Sequence, residues 1–337
     1  MDYRGAHILS TTQFQLADLD RLFTLADALR PYAEGKVRTQ VLEGAVLVNL
    51  FFEPSTRSRI SFGVAFNRLG GHVRDTTGVA FSSMAKGESL EDTARVIGGY
   101  GDIAVLRHPE EGSVAAFAGA STVPVINGGD GPGEHPTQAI LDLYTMTREL
   151  GQPLRGLAGS TIVFVGDLKY GRTVHSLARL LGLLDATRFI CVAPPAVQLP
   201  EHLKRALESR GHQVEVSSDL DSALASADVI YSTRIQQERY PSAADAERAR
   251  GRFSINRARF DALAPAHAVI LHPLPRDSRP EANELDDDLT HHPRLAVFRQ
   301  ADNGIPTRMA LFALVLGVED DIDATSSPVK WHRNPQR

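Results

Sequence analysis

The stretch FFEPSTRSR, residues 51–59, decides the fold, because it joins two segments of different periodicity. The run before it, AVLVNLFF (45–52), is rich in β-branched and aromatic residues and predicts a strand buried on both faces. The run after it, RISFGVAFNRL (59–69), places apolar residues along a helical stripe and ends at Gly70 and Gly71. The polar residues of the stretch therefore lie where a strand passes into the N-terminus of a helix.

A helix start of this composition is suited to an anion. The first N–H groups of a helix have no partner within it, and the helix dipole favours negative charge there. Ser55, Thr56 and Ser58 add hydroxyl donors, and Arg57 adds a guanidinium group suited to phosphate. The alternative is an ordinary N-cap beside a surface arginine. The turn favours a phosphate site, and the alternative stays open on these residues alone.

The overall composition limits the class of protein. The 337 residues are enough for two α/β domains. A net charge of −5 gives no general attraction to nucleic acid or to an anionic membrane surface, and no apolar run approaches the roughly 20 residues of a membrane span. The single cysteine, Cys191, excludes a disulfide framework and a cysteine metal cluster. Since no targeting segment is evident either, we expect a cytoplasmic protein that binds neither nucleic acid nor membrane.

Strands and helices alternate in two blocks, which predicts parallel sheets. Strands are predicted within residues 45–52, 102–108, 122–127, 160–167, 188–195, 213–218, 228–234 and 267–275. The predicted fold class is α/β, with two doubly wound parallel-sheet domains linked by two long helices. The domains are predicted at 1–148, completed by a C-terminal helix at about 303–320, and at 149–302, with a tail at 321–337.

The C-terminal segment carries two further expectations. Pro306 is placed at the first position of the last helix, where a proline is tolerated. The acidic, proline-containing sequence from Val318 onward is expected to be loosely held.

Polar residues gather directly after the predicted strands, at the edge where open α/β sheets bind ligands. They are Arg107, His108, Glu134, His135, Gln138, Asp167, Arg172, Arg234, Gln236, His272 and Arg276. Each alone could be a solvated rim, a helix cap or a rigid loop, but as a set they favour an anion site. The sequence lacks a P-loop, a nucleophile elbow, a convincing dinucleotide fingerprint and a metal cluster. The remaining chemistry suits acyl transfer from a phosphorylated donor without a covalent intermediate.

Seven motifs occur in the order found in one enzyme family. They are FFEPSTRSR, KGESLEDT, LRHPEEG, GDGPGEHPTQAILDLYT, VGDLKYGRTVHSL, TRIQQER and HPLPR. Over roughly residues 5–317 the chain resembles the catalytic chains of the aspartate carbamoyltransferase family. The sister family, the ornithine carbamoyltransferases, carries HCLP where this chain has HPLP. The resemblance therefore favours aspartate as the acceptor.

The resemblance implies an activity and the residues that support it. The carbamoyl group of carbamoyl phosphate would pass to the α-amine of L-aspartate, giving N-carbamoyl-L-aspartate and phosphate, the committed step of pyrimidine biosynthesis. No cofactor and no metal would be needed. The implied catalytic residues are Thr56, Arg57, Lys86, Arg107 and His135. The implied carbamoyl-phosphate-binding residues are Ser55, Thr56, Arg57, Ser58, Ser82, Lys86, Arg107, His135, Gln138, Pro273 and Leu274. The implied aspartate-binding residues are Lys86, Arg172, Arg234, Gln236 and Leu274.

The resemblance also implies an assembly. Ser82 and Lys86 would come from the neighbouring subunit of a homotrimer with shared active sites. Family members also occur with a regulatory chain or bound to dihydroorotase, and the sequence leaves this choice open. Two alternative functions remain at this stage, a carbamoyltransferase for another amino acid and a catalytically silent scaffold. Glu134, an acid directly before His135 in an anion site, has no explanation at the level of sequence.

Overall fold

The structure, a computed structural model, describes residues 1–78, 87–234, 253–277, 279 and 283–331. Its helices are α1 (Leu16–Ala33), α2 (Thr56–Arg68), α3 (Leu90–Gly98), α4 (Ser113–Ala120), α5 (Pro136–Leu150), α6 (Arg172–Leu181), α7 (Glu201–Glu208), α8 (Leu220–Leu224), α9 (Arg257–Leu263) and α10 (Val297–Leu316). Its strands are β1 (Val37–Arg38), β2 (Val46–Phe51), β3 (His72–Thr77), β4 (Ile103–His108), β5 (Val125–Asp130), β6 (Thr161–Val165), β7 (Arg188–Val192), β8 (Gln213–Ser217), β9 (Val229–Ser232), β10 (Val269–Leu271) and β11 (Ser327–Pro328).

The chain divides into two compact units. The first unit comprises Met1–Ile140 and Asp302–Arg337, and the second comprises Leu141–Ala301. The divisions fall inside α5 and inside α10, so two long helices carry the chain from one unit to the other.

The first unit is built on a four-stranded parallel sheet with the order β3-β2-β4-β5. Every residue of β4 is buried, as expected for a central strand whose two faces are both covered. One core cluster of this unit contains Val48, Leu50 and Leu106 of the sheet together with Phe117 of α4. The strand predicted before the quoted turn is therefore confirmed, and it lies in the interior of the sheet.

The second unit is built on a five-stranded parallel sheet with the order β10-β9-β6-β7-β8. Its apolar core includes Val163, Ile190 and Ile230 of the sheet and Phe260 of α9. The predicted fold class, α/β with two parallel-sheet domains, is confirmed.

Strand β3 was not predicted from the sequence. It pairs with β2 at the edge of the sheet, and its six residues are exposed or half-buried. Residues such as Arg74 and Asp75 therefore carry no apolar alternation that would reveal a strand.

The prediction that Pro306 begins the last helix is wrong. Helix α10 begins at Val297, and Pro306 lies inside it. A proline there cannot donate to the carbonyl one turn earlier. In the same turn, Thr307 Oγ1 donates to the carbonyl of Asn303 at 2.8 Å and Arg308 Nη1 donates to that of Gly304 at 3.2 Å. The helix nevertheless continues through the proline to Leu316.

The prediction of a loosely held C-terminal tail is also wrong for the described residues after α10. Strand β11 pairs antiparallel with β1, and Ile322 is buried at 5% exposure. Side-chain hydrogen bonds join Tyr32 to Ser326 at 2.7 Å and Thr39 to Thr325 at 2.6 Å. Polar contacts with residues far away in sequence hold this segment, and local sequence composition does not reveal them.

Cys191 is expected to be unreactive in the native protein. It lies fully buried in β7, and burial raises the pKa of its thiol to about 12. Because the thiolate is the reactive form, a disulfide-exchange reagent at pH 8 should modify native protein at a small fraction of the rate seen in 6 M guanidinium chloride (roughly a hundredth or less). Equal rates in both conditions would show that the thiol is accessible in the native protein.

Within the described residues, no helix is long and apolar enough to cross a bilayer.

Candidate active site

The turn after β2 has the predicted arrangement. The strand ends at Phe51, and α2 begins at Thr56 with Ser55 in extended conformation at the N-cap. The Ser55 side chain makes no capping hydrogen bond, so its hydroxyl is not committed to the helix that it precedes. Ser58 is buried, whereas Thr56 and Arg57 are exposed. The turn thus presents helix N–H groups, hydroxyl groups and a guanidinium group at the carboxyl end of a parallel strand.

Arg107 is held beside this turn. It lies opposite Phe51 in the sheet register and is 7% exposed. Its Nη2 lies 2.8 Å from Glu53 Oε2, and its Nη1 donates to the carbonyl of Gly128 at 3.2 Å. Gly129, at φ +129°, leaves room for this side chain, because a Cβ there would lie 2.7 Å from Arg107 Nη1. The guanidinium group is therefore fixed by a carboxylate and a glycine backbone.

His135 and Gln138 follow the neighbouring strand, β5. His135 is 4% exposed and directly precedes α5, and its carbonyl accepts hydrogen bonds from the N–H groups of Gln138 at 3.1 Å and Ala139 at 3.2 Å. Within the first unit, the predicted residues Ser55–Ser58, Arg107, His135 and Gln138 all follow or end strands of one parallel sheet on its carboxyl edge.

Two loops of the second unit approach each other closely. Gly166 follows β6 with φ +121°, and a Cβ there would lie 2.2 Å from the carbonyl oxygen of Thr233, which follows β9. Only a glycine permits this approach. Arg172, the first residue of α6, and Arg234 belong to these two neighbouring segments. These two of the five predicted aspartate ligands thus lie on the carboxyl edge of the second sheet.

A carboxylate of the loop after β10 faces Arg234. Asp277 Oδ2 lies 4.0 Å from Arg234 Nη2. Hydrogen bonds from Arg279 lower the pKa of Asp277 to about 2, so this carboxylate stays charged at neutral pH. A fixed negative charge at this distance favours a guanidinium orientation toward Asp277.

Pro273 and Leu274 lie on the same loop, directly after β10. Leu274 has a φ of +60°, a conformation that few residues other than glycine adopt, and its peptide bond to Pro275 is cis. Its N–H donates to Nδ1 of His272 at 2.8 Å. Because Nδ1 accepts, a neutral His272 carries its proton on Nε2, which lies 2.8 Å from Glu284 Oε1. The His272 ring thereby holds the loop backbone in place.

A buried polar chain in the second unit continues from His272. The backbone N–H of His272 donates to Gln300 Oε1 at 2.9 Å, and Gln300 Nε2 donates to Asp142 Oδ1 at 2.5 Å. Tyr231 Oη donates to the other oxygen of Asp142 at 2.6 Å. All four residues are at most 1% exposed. A buried carboxylate of this kind depends on its donors, since a lost hydrogen bond in the interior is not replaced by water.

Replacing Tyr231 with phenylalanine should therefore destabilise the protein by about 1–3 kcal/mol, because Asp142 then loses one hydrogen-bond donor. Tyr170→Phe is the matched control, since Tyr170 is 42% exposed and its change should cost less than about 0.5 kcal/mol. Urea denaturation followed by circular dichroism measures both. Equal midpoints for the two variants would contradict a stabilising role for the buried polar chain.

Three predicted site residues, Ser82, Lys86 and Gln236, lie outside the described residues. The roles assigned to the others stay predictions. Sequence reasoning missed Glu53 and Asp277, whose partners Arg107 and Arg234 are recognised only in three dimensions. Among the described residues there is no group of three or more histidine, cysteine, aspartate and glutamate side chains that could hold a metal ion.

Comparison with known families agrees with this arrangement. Residues 6–148 match the model of the aspartate/ornithine carbamoyltransferase carbamoyl-P binding domain. Residues 158–315 match the model of the aspartate/ornithine carbamoyltransferase Asp/Orn binding domain. The chain belongs to the aspartate/ornithine carbamoyltransferase family.

Its relatives within this family point to one branch. It is 56% identical to the aspartate carbamoyltransferase catalytic subunit of Saccharophagus degradans, covering 99% of both chains, and 55% identical to that of Cellvibrio japonicus, covering 98% of both. Among solved structures, aspartate transcarbamoylase from Trypanosoma cruzi in complex with N-(phosphonacetyl)-L-aspartic acid gives a TM-score of 0.85 at 38% identity, covering 93% of this chain and 97% of that one. The catalytic subunit of M. jannaschii aspartate transcarbamoylase gives 0.84 at 41% identity, covering 91% and 96%. The predicted resemblance to aspartate carbamoyltransferase catalytic chains is confirmed.

Proposed function

We propose that this protein transfers the carbamoyl group of carbamoyl phosphate to the α-amine of L-aspartate, which is a step toward pyrimidines. The observation that carries the proposal is the edge of the first sheet, where a helix N-terminus rich in hydroxyl groups, a fixed arginine and a buried histidine come together. Family membership and relatives named for this reaction support it. The Trypanosoma cruzi enzyme is also known in complex with carbamoyl phosphate.

In this proposal the phosphate binds at the start of α2. The N–H groups of the first helical turn, including that of Thr56, and the hydroxyls of Ser55 and Ser58 donate to phosphate oxygens, and Arg57 neutralises their charge. Binding the phosphate in this way places the carbamoyl carbon next to Arg107 and His135, which end or follow the neighbouring strands.

The reaction itself needs electrostatic stabilisation more than covalent help. The neutral amine of aspartate attacks the carbamoyl carbon, a C–N bond forms, and negative charge grows on the carbonyl oxygen. Thr56, Arg107 and His135 donate hydrogen bonds to that oxygen, and donors fixed in advance stabilise the transition state most effectively. The C–O bond to phosphate then breaks, and the departing phosphate accepts the proton lost by the amine. Gln138 is the predicted partner of the carbamoyl NH2 group.

The second unit supplies recognition of the acceptor. Arg172 and Arg234 carry two positive charges on neighbouring loops, which suits the two carboxylates of aspartate. Ornithine carries an ammonium group where aspartate carries its side-chain carboxylate. A guanidinium group at that position would repel ornithine. The predicted acceptor is therefore a dicarboxylic amino acid.

The test is product formation from carbamoyl phosphate with L-aspartate, run beside L-ornithine and beside a reaction without acceptor. Turnover with aspartate alone is the expected result. Turnover with ornithine instead of aspartate would show that the proposed acceptor is wrong. A folded protein that is inactive with both amino acids would overturn the proposal that it is a carbamoyltransferase.

The proposed assembly is a homotrimer that acts in the cytoplasm, a reducing compartment suited to the single buried thiol of Cys191. Light scattering coupled to size-exclusion chromatography should give three times the chain mass of 36.6 kDa. Activity that is lost when the protein is diluted to monomers would support active sites shared between subunits.

A further inference from the structure

Residues 8–13 form a segment, here called the N-terminal hook, that is attached to β5. The N–H of Ile8 donates to the carbonyl of Val125, and the N–H of Asn127 donates to the carbonyl of Ile8, both at 2.8 Å. The side-chain amide of Asn127 donates to the carbonyl of Leu9 at 2.8 Å. The hook thus extends the sheet beyond its edge strand, next to the loop that leads to His135.

The hook holds the carboxylate of Glu134. Ser10 Oγ donates to Glu134 Oε1 at 2.7 Å, and both the backbone N–H and the hydroxyl of Thr11 donate to Oε2, at 2.8 and 2.7 Å. Thr11 is only 2% exposed. Gln13 braces the turn, because its Oε1 accepts from the N–H groups of Leu9 at 2.6 Å and Ser10 at 2.9 Å. Gln13 thereby fixes the turn that carries the donors to Glu134.

The hydrogen bonds from Ser10 and Thr11 give a reason for the acidic residue Glu134, which the sequence alone leaves unexplained. A carboxylate directly before the start of α5 could repel a phosphorylated ligand at the same edge of the sheet. In the structure its oxygens accept hydrogen bonds from the hook. Such bonds to an ionised group are short and strong, and they disperse its negative charge.

The consequence for His135 follows from the backbone. The Glu134 carbonyl accepts from the N–H of Asp130 at 3.2 Å, while its side chain is bound to the hook. On the other side, the His135 carbonyl begins the hydrogen bonding of α5 through the N–H of Ala139 at 3.2 Å. The peptide that carries His135 is therefore anchored at both ends.

We propose that Glu134 is a positioning residue for His135, and that the N-terminal hook holds it through Ser10 and Thr11. This inference rests on the proposed carbamoyl transfer, in which His135 donates to the carbonyl oxygen. A displacement of about 1 Å at a reacting group can cost up to about 100-fold in rate. The hook, which lies more than 120 residues earlier in the chain, thereby contributes to catalysis without touching the substrate.

The test compares a threonine of the hook with a threonine outside it. Thr11→Val removes one donor to Glu134 and keeps the shape of the side chain, and it should lower kcat by about 3- to 10-fold. Thr24→Val is the control, because Thr24 is exposed on α1 and its hydroxyl donates to the carbonyl of Asp20 one turn earlier, away from the hook, so kcat should not change. Glu134→Ala should lower kcat by about 10- to 100-fold, and Glu134→Gln, which keeps one acceptor oxygen, should recover most of that loss.

Two further measurements separate positioning from a general loss of structure. The KM for carbamoyl phosphate should change less than about twofold in these variants, since the phosphate-binding turn on α2 is untouched. In a His135→Ala background, Glu134→Ala should cost nothing further in kcat, because a residue that acts only through His135 has no effect once His135 is gone.

The possible outcomes distinguish a failure of the positioning role from a failure of the proposed function. Wild-type kcat in Glu134→Ala, equal losses in Thr11→Val and Thr24→Val, or an undiminished loss in the His135→Ala background would overturn the positioning role alone. Absence of turnover in the wild-type protein would overturn the proposed function and the positioning role with it. Urea midpoints recorded for every variant identify any that fail to fold, and Thr11→Val keeps the test decisive if Glu134→Ala does not fold.

Discussion

Replacing His135 with alanine is expected to lower kcat for carbamoyl transfer to aspartate by about 100- to 1000-fold, or about 2.7–4 kcal/mol of barrier. The reason is that His135 donates to an oxygen that becomes charged only in the transition state. The affinity for the substrates should fall much less than kcat, because the phosphate and the carboxylates are bound by other residues. Initial rates at saturating carbamoyl phosphate and aspartate measure the effect.

The control for this prediction is His202→Ala. His202 is exposed on α7 of the second unit, so the same substitution there should leave kcat unchanged. Arg107→Ala should lower kcat by the same order as His135→Ala, since it removes a second donor to the same oxygen. A His135→Ala protein that turns over at the wild-type rate would remove His135 from the mechanism.

The second large effect concerns stability. Phe312→Ala should destabilise the protein by about 3–5 kcal/mol, the usual cost of removing a buried aromatic ring. Phe312 of α10 is fully buried, and its ring centroid lies 6.1 Å from that of Phe62 and 5.1 Å from that of Phe66 on α2. The substitution therefore opens a cavity between these two helices.

The matched control lies on the same helix. Phe298 is 50% exposed, so Phe298→Ala should cost less than about 1 kcal/mol. Urea denaturation followed by far-ultraviolet circular dichroism compares the two variants under one condition. Similar losses for both would mean that α10 does not contribute to the core through Phe312.

The central strands were predictable from sequence because burial on both faces leaves a continuous apolar run. Strands β4 and β6 show such runs, whereas the exposed edge strand β3 does not. The start of α10 was missed for a different reason. Pro306 is a strong helix-start signal, and the turns that precede it, from Val297 onward, carry no cap that would mark an earlier start.

The candidate site residues could be identified from the sequence because motifs place them at strand ends. The residues that hold these side chains in place could not be identified in this way. Glu53 fixes Arg107, and Glu134 binds a segment that lies 123 residues earlier in the chain, and neither relation leaves a local pattern in the sequence. Ion pairs and hydrogen bonds between distant residues depend on the fold, so the sequence predicts the reacting groups better than their supports.

The discontinuity of the first unit affects how the chain is made. Ser61 on α2 bonds to Arg308 on α10 across 247 positions, so the first 140 residues leave the ribosome without one of their core helices. At 5–20 residues per second, roughly 10 to 30 s separate the two segments. Throughout that interval Phe62 and Phe66 have no Phe312 to cover them, and by its end the uninterrupted second unit has been synthesised in full. The part of the protein that emerges first is thus the last to finish folding, and until then it exposes apolar surface that is prone to aggregation.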